Sequence, residues 1–210
     1  MPDAGPNSPD VTQRSDGVVS LPDSSLPDGD VVAAIRGGDA EAFRILIRRY
    51  RDRYTRFAVR MLGNPDDAED ALQTAFVRAF RKLEQCQDPD RFGSWLYQIV
   101  INECRTLGIR RTRRERRMVR DLTVLGAMVS ETGTEFVDDG RFRAEIQQAL
   151  DQLDAAQREV FILKYIEELS YEDIAELTGI GISALKMRVK RASDRLRTIL
   201  TPVMEHDRHG

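Results

Sequence analysis

Apolar residues recur along this chain at three- and four-residue spacing. Nowhere do they alternate with period two for long enough to predict a strand. From about residue 28 to 118 the pattern is helical. Phe43, Leu46, Ile47, Tyr50, Tyr54, Phe57, Ala58 and Met61 form one stripe, which Asp39 can cap and Gly63 ends. Asn64 suits an N-cap, Pro65 the first helical position and Asp67 the third. The helix they open buries Ala68, Leu72, Ala75, Phe76, Ala79 and Leu83. A loop follows at Gln85–Arg91, with Pro89 in it. A third, long helix buries Phe92, Trp95, Leu96, Ile99 and Val100 and runs on into a block of arginines.

The periodicity fades over 119–139, where helical character persists only at Leu122–Val129, and resumes near Arg141. Ile146, Leu150 and Leu153 form one stripe, and Val160, Phe161, Leu163, Lys164 and Ile166 belong to the next helix. The sharpest local signal lies at 157–197. Ser170 with Asp173 three residues on is a capping box, opening a short helix at Tyr171–Leu177. Thr178–Gly181 is a tight turn. A helix starting at Ile182 or Ser183 then buries Leu185, Val189, Ala192 and Leu196. A capped short helix, a glycine turn and a basic helix make a helix-turn-helix. Its outward face carries Ser183, Ala184, Lys186, Met187, Lys190 and Arg191, at the end that meets base edges in the major groove.

The expected fold is therefore all-α: two small helical domains joined by a flexible linker, the second a helix-turn-helix. Residues 1–27 are rich in Pro, Ser and Asp and are expected to be disordered. The first domain spans 28–118, the linker 119–139, the second domain 140–200 and a tail 201–210.

Charge changes the picture more than composition does. The formal net charge is −3, yet residues 105–120 carry eight arginines against one glutamate, and 183–197 six bases against one acid. Two separated basic blocks on an acidic chain predict contact with a polyanion at two places. No apolar run reaches the roughly 18 residues of a membrane span, and the opening residues do not read as a secretory signal. Cys86 and Cys104, with His206 and His209 in the tail, cannot make a conventional zinc site. The cysteines read as small core residues.

Two further surfaces stand out. Asp66, Asp70, Gln73 and Val77 share a helix face opposite Leu72 and Phe76. The helix dipole accounts for acids in the first turn but not for Asp70 and Gln73, which lie beyond it. In the long helix, Gln98, Asn102 and Arg105 face away from the Trp95/Ile99 stripe, with Tyr97 beside them. Such a strip can bind nucleotides by edge hydrogen bonds and stacking.

The segments DDAEDALQTAFVRAFRKL, FGSWLYQIVINECRTLGIRRTRR and LDQLDAAQREVFILKYIEELSYEDIAELTGIGISALKMRVKRASDRLR resemble, in order and spacing, the extracytoplasmic-function (ECF) sigma factors of bacterial RNA polymerase, which keep only regions 2 and 4. The resemblance covers about residues 28–200. It implies a cytoplasmic, non-enzymatic transcription initiation factor without cofactor, metal or small-molecule substrate. Its partners would be core polymerase (the β′ clamp helices and the β flap), promoter DNA and an anti-sigma factor. The first motif would dock on the clamp helices through Asp66, Asp67, Glu69, Asp70, Gln73 and Phe76. The Gln85–Arg91 loop would capture an unpaired base of the −10 element, through Gln87, Asp88 and Arg91. The following helix would read and melt −10 DNA with Tyr97, Gln98, Asn102 and Arg105, while Arg110 and Arg111 hold phosphates. Ser183, Ala184, Lys186, Met187, Lys190 and Arg191 would read the −35 element. Departures from the family pattern are Thr74–Ala75 after Gln73, where an acid is common, Arg105–Thr106–Leu107 after Asn102–Glu103–Cys104, where an Asp often stands, and Met187, which weakens hydrogen-bond readout.

Two rival readings are a stand-alone helix-turn-helix regulator and a nucleic-acid enzyme holding metal on Asp66, Asp67, Glu69 and Asp70. The first usually needs a dimer, and no dimer seam is visible. The second needs acids converging from separate elements, whereas these four share one helix.

Overall fold

The computed structural model describes residues 26–123 and 139–206. The expected disorder before residue 26 and the flexible linker at 124–138 lie outside them. All regular structure among the described residues is helical.

Among the described residues eight α-helices follow in order: α1 (Asp28–Arg36), α2 (Phe43–Leu62), α3 (Pro65–Arg81), α4 (Phe92–Thr123), α5 (Asp139–Asp151), α6 (Ala155–Phe161), α7 (Tyr171–Thr178) and α8 (Ile182–His206). The punctuation residues act as their chemistry demands. Asn64 Oδ1 accepts from the Asp67 amide at 2.9 Å and starts α3, with Pro65 at its first position. Gly63 takes the left-handed conformation, φ 69°, that stops α2. Asp39 caps a short 3-10 turn at Ala40–Ala42 that leads into α2, rather than α2 itself. Helix α4 continues to Thr123, five residues into the stretch expected as linker. Helix α6 passes into a π-helical turn, Ile162–Ile166.

In the N-terminal module, α2, α3 and α4 pack through Leu46, Phe57, Ala58, Leu72, Ala75, Phe92, Leu96 and Val100, all essentially inaccessible. Helix α1 is tied on at both ends. Asp28 accepts from Tyr50 Oη and pairs with Arg49. Arg36 donates to the carbonyls of Leu83 (2.9 Å) and Cys86 (2.7 Å), closing the chain end of α3.

In the C-terminal module, α6, α7 and α8 enclose Val160, Ile162, Leu163, Ile174, Leu185, Val189 and Ala192. The capping box at α7 is complete: Ser170 Oγ accepts from the Asp173 amide at 3.0 Å, and Asp173 Oδ2 accepts from the Ser170 amide at 3.3 Å. Gly179, at φ 71°, makes the turn between α7 and α8.

The two modules meet, and the buried apolar residues of both form one connected cluster. Three backbone carbonyls in the last turn of α2 have no partner within their own helix. Later parts of the chain supply one for each. Gln147 donates to Arg60 O (3.2 Å), Arg158 to Met61 O (3.0 Å) and Arg111 to Leu62 O (3.2 Å). Arg158 also donates to Leu150 O and Asp151 O at the end of α5. Burial holds its pKa below the usual arginine value.

Candidate nucleic-acid interface

Three surfaces carry the residues singled out from the sequence. The first is the outer face of α3. Asp66, Asp70 and Gln73 are exposed there. Glu69 and Asp67 are half-buried and already paired, Glu69 with Arg51 at 3.3 Å and Asp67 with Arg111 at 3.4 Å. Phe76 does not belong to this surface. It is 7% exposed and meets the Phe43 ring edge-on at 6.5 Å, because its position falls on the same stripe as Leu72 and Ala79. The exposed apolar groups of α3 are Val77 and Phe80 instead. Phe80 could have been found as the one aromatic of the helix outside its alanine- and leucine-rich stripe.

The second surface is a cleft of about 580 Å³ between the modules. Its floor is aromatic. Tyr54 stacks between Tyr50 and Tyr97 at 5.4 and 4.8 Å, and Trp95 lies beside them, half-buried. One rim is the 85–91 loop, where Asp88 Oδ1 accepts from the Asp90 amide at 3.2 Å and leaves Gln87, Asp88 and Arg91 exposed. Tyr97 is not on an open strip. It is 4% exposed, its hydroxyl finds no hydrogen-bond partner, and Arg53 lies 5.8 Å over its ring. Burial pushes the Tyr50, Tyr54 and Tyr97 hydroxyls well above the usual phenol value, so all three stay neutral, Tyr50 and Tyr54 donating to Asp28 and the Gly93 carbonyl. Gln98, Asn102 and Arg110 are exposed as expected.

Arg105 departs from expectation. Its guanidinium forms a two-pronged pair with the buried carboxylate of Glu159, 2.7 and 2.6 Å, and also donates to Asn102 Oδ1 at 3.3 Å. Hydrogen bonding to Glu159 outweighs burial and raises its pKa. The helical spacing put Arg105 on the polar face correctly, but α4 has a second neighbour on that face, the C-terminal module. Arg53 and Arg91 are held similarly, by Glu167 at 3.1 Å and Glu176 at 2.8 Å. Arg53, Tyr50 and Tyr54 also line this cleft and were not among the candidate residues. Tyr50 and Tyr54 were read only as part of the α2 core stripe, and Arg53, between them at i+3, was not singled out.

The third surface is the start of α8. Ser183, Ala184, Lys186, Met187, Lys190 and Arg191 are all exposed. Leu185 and Val189, on the opposite side, are buried against α6 and α7. Lys186 stands 5.6 Å over the Tyr171 ring, and Lys190 pairs with Asp194 at 2.7 Å. No cluster of three or more His, Cys, Asp or Glu among the described residues could hold a metal ion, and no described helix is long and apolar enough to cross a membrane.

A helix-turn-helix with an open basic face, joined to a helical module with an aromatic cleft and an arginine-rich helix, defines a helical DNA-binding protein. Residues 46–117 match the family model for sigma-70 region 2, and residues 143–196 that for sigma-70 region 4. The chain is 32% identical over 177 residues to the ECF RNA polymerase sigma factor SigW of Bacillus subtilis, covering 79% of this chain and 92% of that one. Among solved structures it resembles the sigma factor RpoE bound to the anti-sigma factor NepR from Bartonella quintana (TM-score 0.60, 28% identity, 76% of this chain and 96% of that one). It also resembles CnrH in complex with the cytosolic domain of CnrY (TM-score 0.60, 27% identity, 86% and 99%). The chain belongs to the ECF family of RNA polymerase sigma factors.

Proposed function

We propose that this sigma factor binds core RNA polymerase through the outer face of α3 and directs it to promoters, melting and reading the −10 element with α4 and the 85–91 loop and reading the −35 element with the start of α8. The observation that carries this reading is the exposure of all six candidate residues on one face of α8 while Leu185 and Val189 anchor the other. That is the geometry of a major-groove reader.

The steps divide by chemistry. Lys186, Lys190 and Arg191 set register on duplex DNA by phosphate and base-edge contacts. Met187 offers an apolar surface to a thymine methyl rather than a hydrogen bond. Melting costs on the order of 1.4 kcal/mol per base-pair step. The cleft offsets part of this by stacking and hydrogen-bonding an extruded base, with Gln87, Asp88 and Gln98 at its margin. Arg110 adds a salt-sensitive, sequence-independent contribution, which Arg111 joins only on leaving Asp67 and the Leu62 carbonyl. On α3, the exposed polar residues Asp66, Asp70 and Gln73 lead along one face to the exposed apolar Val77 and Phe80, a mixed strip that suits a protein partner. Catalysis stays with the polymerase, in the cytoplasm. An anti-sigma factor is a further partner of this reading, supported by the two similar structures being complexes of that kind.

Run-off transcription with bacterial core polymerase, with and without the chain, on host promoter fragments is the test. New transcripts that require the chain, lost with Phe80→Asp and with Lys186→Ala/Lys190→Ala, are the expected result. Duplex binding without redirected initiation would replace this reading with a stand-alone regulator.

A further inference from the structure

Two arginines that line the cleft, Arg53 and Arg91, and a third further along α4, Arg105, are each held by a carboxylate of the C-terminal module. Arg105 grips Glu159 with two hydrogen bonds, 2.7 and 2.6 Å. Arg53 holds Glu167 at 3.1 Å and Arg91 holds Glu176 at 2.8 Å. Arg105 and Arg91 are two of the cations assigned above to the −10 strand. A carboxylate and a backbone phosphate offer a guanidinium the same two-oxygen geometry, so one arginine cannot serve both. Helix α7 also lines the cleft itself, with Asp173, Glu176 and Leu177 opposite Tyr50 and Trp95. The recognition face of α8 is untouched by these contacts and stays open.

We propose that Glu159, Glu167 and Glu176 form a phosphate-mimicking latch that shuts the single-strand cleft and leaves the duplex-reading face of α8 exposed. The latch rests on the −10 reading of the cleft. In the latched form the chain can contact duplex DNA through α8, but a single strand enters only once the modules part. The three pairs divide the work. Glu159 is 3% exposed, so its charge is left unsatisfied when Arg105 leaves. Arg91 and Glu176 are both more than half exposed, so that pair is weak and screened by salt. A polyanion or a protein that competes for the exposed pair first would open the cleft from the α7 side.

The test uses the full chain. A fluorescein-labelled, random-sequence single-stranded 20-mer is titrated into the wild type, into Glu159→Gln/Glu167→Gln/Glu176→Gln, and into Glu41→Gln/Asp52→Asn/Glu172→Gln, which removes the same charge from exposed sites elsewhere. Spin labels at Arg44→Cys and Thr198→Cys report the distance between modules in each background, Cys86 and Cys104 being buried. The latch variant is expected to bind the strand on the order of tenfold more tightly than the charge control and to show a longer, broader distance. The double variant Glu167→Gln/Glu176→Gln, which leaves the buried Glu159 intact, is expected to show a smaller change in the same direction. An unchanged distance in the latch variant overturns the latch and leaves the −10 reading standing. Parted modules with no gain in strand binding over the charge control overturn the −10 reading, and the latch with it.

Discussion

Leu185 and Met187 lie two positions apart on α8, yet the structure gives them opposite tasks. Leu185 is fully buried between α7 and the rest of the C-terminal core, whereas Met187 is 53% exposed. Leu185→Ala deletes three carbons, about 2.4 kcal/mol of transfer free energy at ~0.8 kcal/mol per methylene. The remaining cavity brings the expected loss to roughly 3–4 kcal/mol. Met187→Ala at an exposed position should fall within about 0.5 kcal/mol. Urea unfolding followed by circular dichroism, at unchanged slope, measures both. Binding of a −35 duplex should reverse the order once the comparison is made at low urea, where both variants are folded. There Met187→Ala changes sequence preference, while Leu185→Ala weakens all sequences alike. Equal destabilisation by the two substitutions would refute the orientation of α8, and with it the assignment of its reading face.

Gly179→Ala should cost about 1–2 kcal/mol from the left-handed backbone alone, because no atom lies within 4 Å of the added methyl, and urea midpoints check it. Ser170→Ala should cost about 1 kcal/mol at neutral pH through loss of the α7 cap. Hydrogen bonds from Ser170 hold the Asp173 carboxyl below its ordinary value of 3.8, so that part of the stabilisation is present above 3.8 and is lost as pH falls through the lower folded value. The gap in urea midpoint between wild type and Ser170→Ala should therefore narrow, without closing, as pH is lowered from 6 toward about 2. Burial pushes the Cys104 thiol up to about 12 and raises that of Cys86, so neither should react with a thiol reagent at pH 8 until denaturant is added.

Local chemistry was readable in the sequence wherever a few neighbouring residues decide the outcome. The Asn64–Asp67 cap, the stop at Gly63, the Ser170–Asp173 box and the Leu185/Val189 stripe are of this kind. Surface identity was less readable where a helix has neighbours on two sides. The polar spacing of Gln98, Asn102 and Arg105 describes one face of α4, but that face meets Glu159, 54 residues later in the chain. Periodicity carries no information about a partner so distant. Tyr97 failed for a related reason. Its place beside Gln98 put it with the polar strip, while its ring completes a stack with Tyr54 that only the packing of α2 on α4 creates. Arg53 gave no signal in the sequence, because the acid that holds it, Glu167, lies 114 residues later.

The last turn of α2 has a consequence for how the protein is made. Its carbonyls at Arg60, Met61 and Leu62 wait for donors 87, 97 and 49 residues further along the chain. At about 5–20 residues per second, the ribosome needs roughly 5–20 s after Met61 to deliver Arg158. During that interval the aromatic wall of the cleft, Tyr50, Tyr54 and Tyr97, is made before the C-terminal segment that covers it. A nascent chain is thus transiently more open to polyanions and partner proteins than the finished one, and synthesis rate becomes a variable in which partner reaches it first.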